Sequence, residues 1–206
     1  MQVFLPSADF ALSARCLDNS RLIKQNLETV QILNTLLGWS KGWANHPAVT
    51  SWKGYEPALL QYLDCTIQET ILRGFSTDYA SAQYNKLKPL LEDMPVSMPI
   101  WWGDINYHRS HKYRLLQKGW EQKYKGQGIR ANKVIEWYAN LDWPEMNNVH
   151  LMCHEYLWPS SNNDDYVLIT KTSKQQQSMT KGVIEVYGLN PYYNRQFFNV
   201  DKLVVQ

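Results

Sequence analysis

Residues 49–74 read VTSWKGYEPALLQYLDCTIQETILRG and carry the clearest helical pattern of the chain. Apolar and aromatic side chains recur there at the spacing that places them on one face of an α-helix, at Tyr55, Leu59, Tyr62, Leu63, Ile67 and Ile71. The pattern predicts a helix from about Val49 to Gly74 with this face buried.

Two further helices are predicted around this one. The first begins at a cap on Ser7 or Asp9 and runs to about Leu37, before Gly38. Its buried stripe is expected at Leu12, Cys16, Ile23, Leu27, Val30 and Leu37. The third spans about Tyr107–Lys125 and follows a segment rich in proline. The fold class expected is mainly α, a compact bundle of three main helices.

The character of the sequence changes after Trp158. PSSNNDD, residues 159–165, is typical of a linker. Residues 166–170, 182–189 and 202–205 then resemble short strands. The predicted division is an all-α domain over 1–158 and a small β-rich C-terminal extension over 159–206.

The composition indicates a folded protein that does not span a membrane. The chain has 206 residues, of which 44% are hydrophobic, and no apolar run approaches the roughly 20 residues of a membrane helix. The start lacks the basic region of a signal peptide, and three dispersed cysteines make no disulfide framework. A monomer in a reducing cytoplasm, or at the nucleoid, is expected.

Positive charge is concentrated in residues 103–125, GDINYHRSHKYRLLQKGWEQKYK. Over 101–135 there are eight Lys/Arg against two acidic residues, a net +6, in a chain whose net charge is +2. Such asymmetry favours a surface that binds a polyanion. A solvated helix face is the alternative interpretation.

No motif indicates a metal or an organic cofactor. His108 and His111 lie three residues apart, but no C-x-x-C or H-E-x-x-H pattern accompanies them. Glycine-rich nucleotide loops and a G-x-S-x-G elbow are absent from the sequence. We therefore expect chemistry that uses no cofactor.

Three motifs resemble the pyrimidine-dimer DNA glycosylase family, the phage-type endonuclease V enzymes. Residues 45–75, NHPAVTSWKGYEPALLQYLDCTIQETILRGF, are similar to that family's Gly-His-Val motif and following helix, which ends in Arg-Gly-Phe. GDINYH at 103–108 matches its Gly-Asp-x-x-x-His motif. MQVFLP at 1–6 and LDNSRLIKQ at 17–25 resemble bacterial members, and the likeness covers roughly residues 1–125.

The resemblance implies base excision followed by a lyase step. In that family the N-terminal α-amine attacks C1′ of the damaged nucleotide, the base leaves, an imine forms, and β-elimination nicks the strand. An α-amine titrates at about pH 7.7–8.0 and lysine near 10.4, so an α-amine suits this task at neutral pH. Gln2 predicts that Met1 is retained and supplies the amine. Arg21 matches a phosphate-binding arginine of the family, and Lys118 matches a basic DNA contact on the family's last helix.

One departure concerns the family's catalytic glutamate, because Leu22 occupies its place after Arg21. Its task is to stabilise the opening sugar and to carry a proton. Candidates to replace it are Asp18, Glu28 and Asp104, and Lys24 is a candidate second amine.

The predicted site therefore has two groups of residues. The catalytic group is Met1, Arg21, Lys24, Asp104 and His108. The DNA-binding group is Gln25, His46, Arg109, His111, Lys112, Lys118, Trp120 and Lys125. For His46 and His108, purely structural roles in a turn and at a helix start are the alternatives.

The predicted function is a DNA glycosylase with AP-lyase activity on double-stranded DNA that contains a damaged or modified pyrimidine. Two alternatives remain open from the sequence. One is a DNA-binding protein that has lost the catalytic acid, and the other is a monofunctional glycosylase for a hypermodified base.

Overall fold

The computed structural model describes residues 1–124, 128–143, 157–162 and 165–170. These residues form seven α-helices and one antiparallel hairpin. The helices are α1 (Phe10–Cys16), α2 (Asn19–Leu36), α3 (Pro47–Thr50), α4 (Glu56–Leu72), α5 (Asp78–Leu91), α6 (Ile105–Tyr124) and α7 (Gly128–Asn140). The strands are β1 (Leu157–Asn162) and β2 (Asp165–Thr170). The prediction of a mainly helical fold is confirmed.

The first predicted helix is two helices, so its continuity was wrong. The Asp9 carboxylate caps α1 by accepting a hydrogen bond from Leu12 N at 2.7 Å. Leu17 is extended, and Asp18 then caps α2 by accepting from the backbone N–H groups of Ser20 and Arg21. Because Asp, Asn and Ser favour caps over helix interiors, the D-N-S sequence restarts the helix here. The predicted end before Gly38 is confirmed.

The buried face of α2 also differs from the predicted stripe. Ile23 and Leu27 are 44% and 42% exposed, whereas Gln25, Asn26 and Thr29 are buried. Gln25 and Asn26 have hydrogen-bond partners on distant parts of the chain, such as Thr70 Oγ1, which accepts from Asn26 Nδ2 at 2.8 Å. Polar groups with hydrogen-bond partners can be buried at little cost in free energy. A helix face buried in this way does not appear in the pattern of apolar residues.

The second predicted helix is divided into α3 and α4 by a turn at Gly54, whose φ is 86°. On α4, the predicted face is buried at Leu59, Tyr62, Leu63 and Ile67. Ile71 is an exception, since it is 50% exposed. This helix packs against α2 in the larger core of the molecule.

Helices α5 and α7 were not predicted, so a count of three main helices was too low. The predicted third helix corresponds to α6. A smaller core joins α1, α2, α6 and α7 around Leu17, Leu22, Leu115 and Tyr138. This second core anchors the basic helix beside the start of the chain.

The described part of the C-terminal region is the hairpin. The strand predicted at 166–170 lies in β2, but residues 159–162 of the predicted linker are in β1, paired in register from Leu157 opposite Thr170 to Asn162 opposite Asp165. The predicted boundary at residue 158 falls inside β1. The strands predicted at 182–189 and 202–205 lie outside the described residues, and the β-rich extension stays a prediction.

Candidate active site

The start of the chain, residues 1–7, precedes α1 and is held by polar side chains of α2 and α4. Gln25 of α2 accepts from Phe4 N at 2.9 Å through Oε1 and donates to the carbonyl of Gln2 at 2.8 Å through Nε2. The Tyr62 hydroxyl of α4 donates to the Phe4 carbonyl at 2.8 Å. The backbone of this N-terminal segment is therefore fixed, and with it the position of the chain's first amine.

Two buried histidines of α6 hold the same segment from the other side. Nδ1 of His108 lies 2.7 Å from the carbonyl of Leu5, and its Nε2 accepts from Gly103 N at 3.2 Å, so the proton is on Nδ1. Nδ1 of His111 accepts from Leu5 N at 2.9 Å. Complete burial, and then the nearby His108, lower the pKa of His111 well below its ordinary value. His111 is therefore a neutral acceptor.

A cavity of about 520 Å³ opens beside the N-terminal amine. It is lined by Met1, Gln2, Phe4, Ser20, Arg21, Lys24, Gln25, Glu28, His46, Arg114 and Lys118. Glu28 Oε1 lies 4.0 Å from the α-amine of Met1, and Glu28 Oε2 accepts from Gln2 N at 3.0 Å. The Met1 side chain is only 4% exposed and packs on the larger core. The amine and a carboxylate are thus held together at the cavity wall.

Several cationic side chains surround this pair. Arg21 Nη1 lies 2.9 Å from Asp18, and Lys24 Nζ lies 3.5 Å from Glu28 Oε1. Arg114 and Lys118 reach the cavity from α6, four residues apart on one face of that helix. Among the described lining residues, Glu28 is the one acid, so the cavity favours a ligand that carries negative charge.

Six of the thirteen predicted site residues line the cavity. They are Met1, Arg21, Lys24, Gln25, His46 and Lys118. His46 also caps α3, because its Nδ1 accepts from Ala48 N at 3.1 Å, so the structural alternative for this residue holds as well. The side chain of Trp120 and the whole of Lys125 lie outside the described residues.

The other predicted residues on α6 lie elsewhere, and this corrects the expected surface. His108, His111 and Lys112 are 3%, 0% and 8% exposed, so they face the interior of the domain and are not placed to touch DNA. Lys112 Nζ lies 4.9 Å from the centre of the Trp143 ring. Burial is the largest influence on the pKa of Lys112, which it lowers to about 7.

Asp104 and Arg109 also lie away from the cavity lining. The Asp104 carboxylate accepts from Asn106 N at 2.8 Å at the start of α6, as a helix-capping residue does. Arg109 is partly buried and is absent from the lining. Asp104 is therefore not placed to act on a substrate in this cavity.

Of the three candidate carboxylates, Glu28 is the one beside the amine. Asp18 is buried, pairs with Arg21 and accepts a hydrogen bond of 2.6 Å from the Tyr138 hydroxyl. Burial, and then the Asp18 charge, raise the pKa of Tyr138 well above its ordinary value, so this hydroxyl keeps its proton. Leu22, at the place of the family's glutamate, is fully buried.

Arg114 is the charged lining residue that the sequence interpretation missed. Its spacing of four residues from Lys118 was the available signal, because this spacing puts both on one face of a helix. The net charge of residues 101–135 could not show that Arg114 and Lys118 face the cavity whereas His108, His111 and Lys112 face the interior.

The described residues contain neither a membrane span nor a metal-binding cluster. No helix in this part of the chain is long and apolar enough to cross a membrane. The same residues bring together no group of three His, Cys, Asp or Glu side chains suited to a metal ion.

Comparison with known proteins gives one informative result. No curated protein and no solved structure matches the chain. The matched family model covers residues 1–83, which supply nine of the eleven residues that line the cavity. In this N-terminal part, the chain is similar to the family described as pyrimidine dimer DNA glycosylase.

Proposed function

We propose that the protein is a DNA glycosylase with AP-lyase activity, in which the α-amine of Met1 forms an imine with the damaged nucleotide. The observation that carries the proposal is the pairing of this amine with Glu28, 4.0 Å away, in a cavity lined by cationic side chains. An amine beside a carboxylate in a cationic cavity suits attack on a sugar that lies between two phosphates.

The reaction begins when the neutral amine attacks C1′ of the target nucleotide. The bond from C1′ to the base breaks, and the base takes the bonding electrons and one proton of the amine. The nitrogen then forms a double bond to C1′ as the bond from C1′ to O4′ breaks, and O4′ takes the second amine proton, which gives an imine with the opened sugar. Removal of a proton from C2′ then expels the 3′ phosphate and nicks the strand. The nucleotide must leave the helix for C1′ to reach the amine.

Glu28 is proposed as the group that carries protons in these steps. Its carboxylate lies next to the amine and is 13% exposed, so it can take a proton from the attacking nitrogen and stabilise the positive charge that develops on the sugar. It replaces the glutamate whose place is taken by Leu22. Lys24, whose Nζ lies 3.5 Å from the same carboxylate oxygen, is the second candidate amine.

The cations of the cavity are proposed to hold the phosphates on either side of the target. Arg21 comes from the start of α2, and Arg114 and Lys118 come from α6. The three groups approach the amine from two different helices, as required to grip a bent backbone on both sides of one nucleotide. The proposed substrate is duplex DNA with a pyrimidine dimer or another altered pyrimidine.

The test is to trap the imine with sodium borohydride. The protein is incubated with a duplex that contains one abasic site, the imine is reduced, and the adduct is located by intact-mass and peptide mass spectrometry. We expect one adduct, on the N-terminal peptide at Met1. Lys24→Ala should leave the adduct in place.

Other outcomes separate the alternatives. An adduct on Lys24 would support a lyase whose nucleophile is Lys24 instead of Met1. Strand breaks in ultraviolet-irradiated duplex that need both the protein and hot alkali, without any adduct, would favour a monofunctional glycosylase. Binding of the duplex without adduct or base release would contradict an enzyme.

A further inference from the structure

An exposed tryptophan lies beside the cavity, on the loop of residues 38–46. Trp43 is 65% exposed. Trp39, at 52%, is the next most exposed tryptophan among the described residues. The loop between them contains Lys41 and Gly42. A large apolar ring kept in solvent on a short loop loses the stabilisation that burial would provide, so a role outside the fold is the better account of it.

The backbone of Trp43 is strained as well. Its φ is 67°, the one positive φ at a residue other than glycine in the described part of the chain. This left-handed conformation is unfavourable for a bulky residue, and such outliers cluster at sites of function. A hydrogen bond of 2.8 Å from His46 N to the Trp43 carbonyl holds the loop in this shape.

The ring stands next to the cavity and outside its wall. It contacts the His46 ring edge to face, with centroids 5.6 Å apart, and His46 is a lining residue. Trp43 is itself absent from the lining. Trp43 is therefore close enough to the cavity to meet DNA that flanks a nucleotide held in it.

We infer that Trp43 stacks on a base that remains in the duplex next to the extruded nucleotide. The inference rests on the proposed function, since it supposes that a nucleotide leaves the helix. Aromatic side chains stack on any base, because every base has a π face, and inserted side chains stabilise an opened duplex. Trp43 would thus fix the opened state of the DNA while the amine reacts.

The test compares binding of two duplexes with the same sequence. One contains a tetrahydrofuran abasic analogue flanked by 2-aminopurine, and the other is undamaged. The variants are Trp43→Ala, Trp43→Gly and Trp43→Phe, with Trp39→Ala as the matched control, because it removes another exposed tryptophan of the same region. Glycine accepts a positive φ without strain, so Trp43→Gly should fold at least as well as the parent protein.

We expect the alanine and glycine variants to bind the tetrahydrofuran duplex about tenfold more weakly, which is the loss of one stacked base. Binding to the undamaged duplex should not change. The change in 2-aminopurine fluorescence on binding should disappear in both variants, persist in Trp43→Phe, and persist in Trp39→Ala.

Unchanged affinity and fluorescence in Trp43→Ala and Trp43→Gly would overturn the inference. Equal weakening on both duplexes would also overturn it, since this would show an interaction indifferent to the lesion. Borohydride trapping by the parent protein separates this failure from failure of the proposed function. Without an adduct and without preference for the tetrahydrofuran duplex, the proposed function and this inference fall together.

Discussion

Glu28 combines two contacts that make it the residue on which the proposed chemistry depends. One carboxylate oxygen accepts from the backbone N–H of Gln2, and the other lies near both the α-amine of Met1 and Nζ of Lys24. The backbone hydrogen bond fixes the side chain, and the second oxygen faces the amine. The charge of this side chain, more than its shape, should therefore matter for the reaction.

Glu28→Gln keeps the shape of the side chain and removes its charge. We expect the single-turnover rate of imine formation to fall about 10²–10⁴-fold, the usual contribution of a positioned acid or base. Affinity for duplex DNA should stay the same or rise, because a negative charge leaves the cavity. Rates come from quenched borohydride trapping and affinities from fluorescence anisotropy.

Glu92→Gln is the matched control, because Glu92 is exposed at the end of α5 and away from the cavity lining. It should keep the parent rate. A Glu28→Gln rate within about threefold of the parent would remove Glu28 from the mechanism and favour Asp18 in its place.

Lys112 gives the protein a measurable dependence of stability on pH. Burial lowers its pKa to about 7 from the ordinary value of 10.5; nearby Cys16 opposes this shift, and Arg109 adds to it. Between these two values the unfolded chain holds a proton that the folded chain has released. The free energy of unfolding should therefore rise with pH above about 7, by up to about 1.4 kcal/mol per pH unit.

Lys112→Met should remove this rise, because methionine fills a similar volume without a titrating group. Urea unfolding of both proteins at pH 6, 7.5 and 9 measures it, and the parent should gain stability relative to the variant as the pH increases. Burial raises the pKa of Cys16 to about 12 from 9.0, so its opposite effect begins above pH 9 and stays outside the range. Parallel curves would contradict a buried, neutral lysine.

At the scale of elements, α6 has two faces with different tasks. His108, His111 and Lys112 face inward, and the two histidines hold the N-terminal segment. Arg114 and Lys118 face the cavity. The helix α6 is therefore neither a plain solvated face nor a continuous phosphate-binding surface. These were the two interpretations that the composition of residues 103–125 left open.

The outward face of α6 should set the dependence of DNA binding on salt. Arg114→Ala with Lys118→Ala should weaken binding to duplexes of any sequence and reduce the slope of log K against log salt by about two, one for each phosphate that is no longer neutralised. The matched control is Lys86→Ala with Lys88→Ala, which removes the same charge from exposed positions on α5. An equal slope in both double variants would show a general effect of net charge.

The buried faces of helices were predictable from the sequence where the buried side chains are apolar. The face of α4 was recovered at Leu59, Tyr62 and Leu63, because apolar residues recur there at helical spacing. The face of α2 was not, because Gln25 and Asn26 are buried against partners more than 20 residues away in the sequence. The spacing of residues along one helix does not reveal such distant partners.

At the scale of the whole molecule, the site is a product of the fold and not of one segment. The family match ends at residue 83, yet Arg114 and Lys118 complete the cavity from α6, and His108 and His111 hold Leu5. Resemblance placed Met1 and Arg21 in one site, but only the packing of α2 and α6 around the N-terminal segment selects Glu28 from three candidate carboxylates.

This arrangement predicts that the length of the N-terminal segment is critical. A glutamine inserted between Met1 and Gln2 leaves the hydrogen bonds of Phe4 and Leu5 in register and moves the amine by up to about 3.5 Å. Displacement of a reacting group by even about 1 Å can cost about 10²-fold, so we expect adduct formation to fall at least that much while DNA affinity stays within about twofold.

The control for the N-terminal insertion is a glutamine inserted in the exposed connection at 92–97, which should leave trapping unchanged. Both proteins are compared by borohydride trapping, peptide mass spectrometry and anisotropy. If the adduct forms at the parent rate on the extended N-terminus, the cavity tolerates a mobile amine. The hydrogen bonds to Gln25, Tyr62, His108 and His111 would then serve folding alone. Absence of the adduct with intact binding would show instead that these hydrogen bonds, drawn from three helices, fix the nucleophile for the reaction.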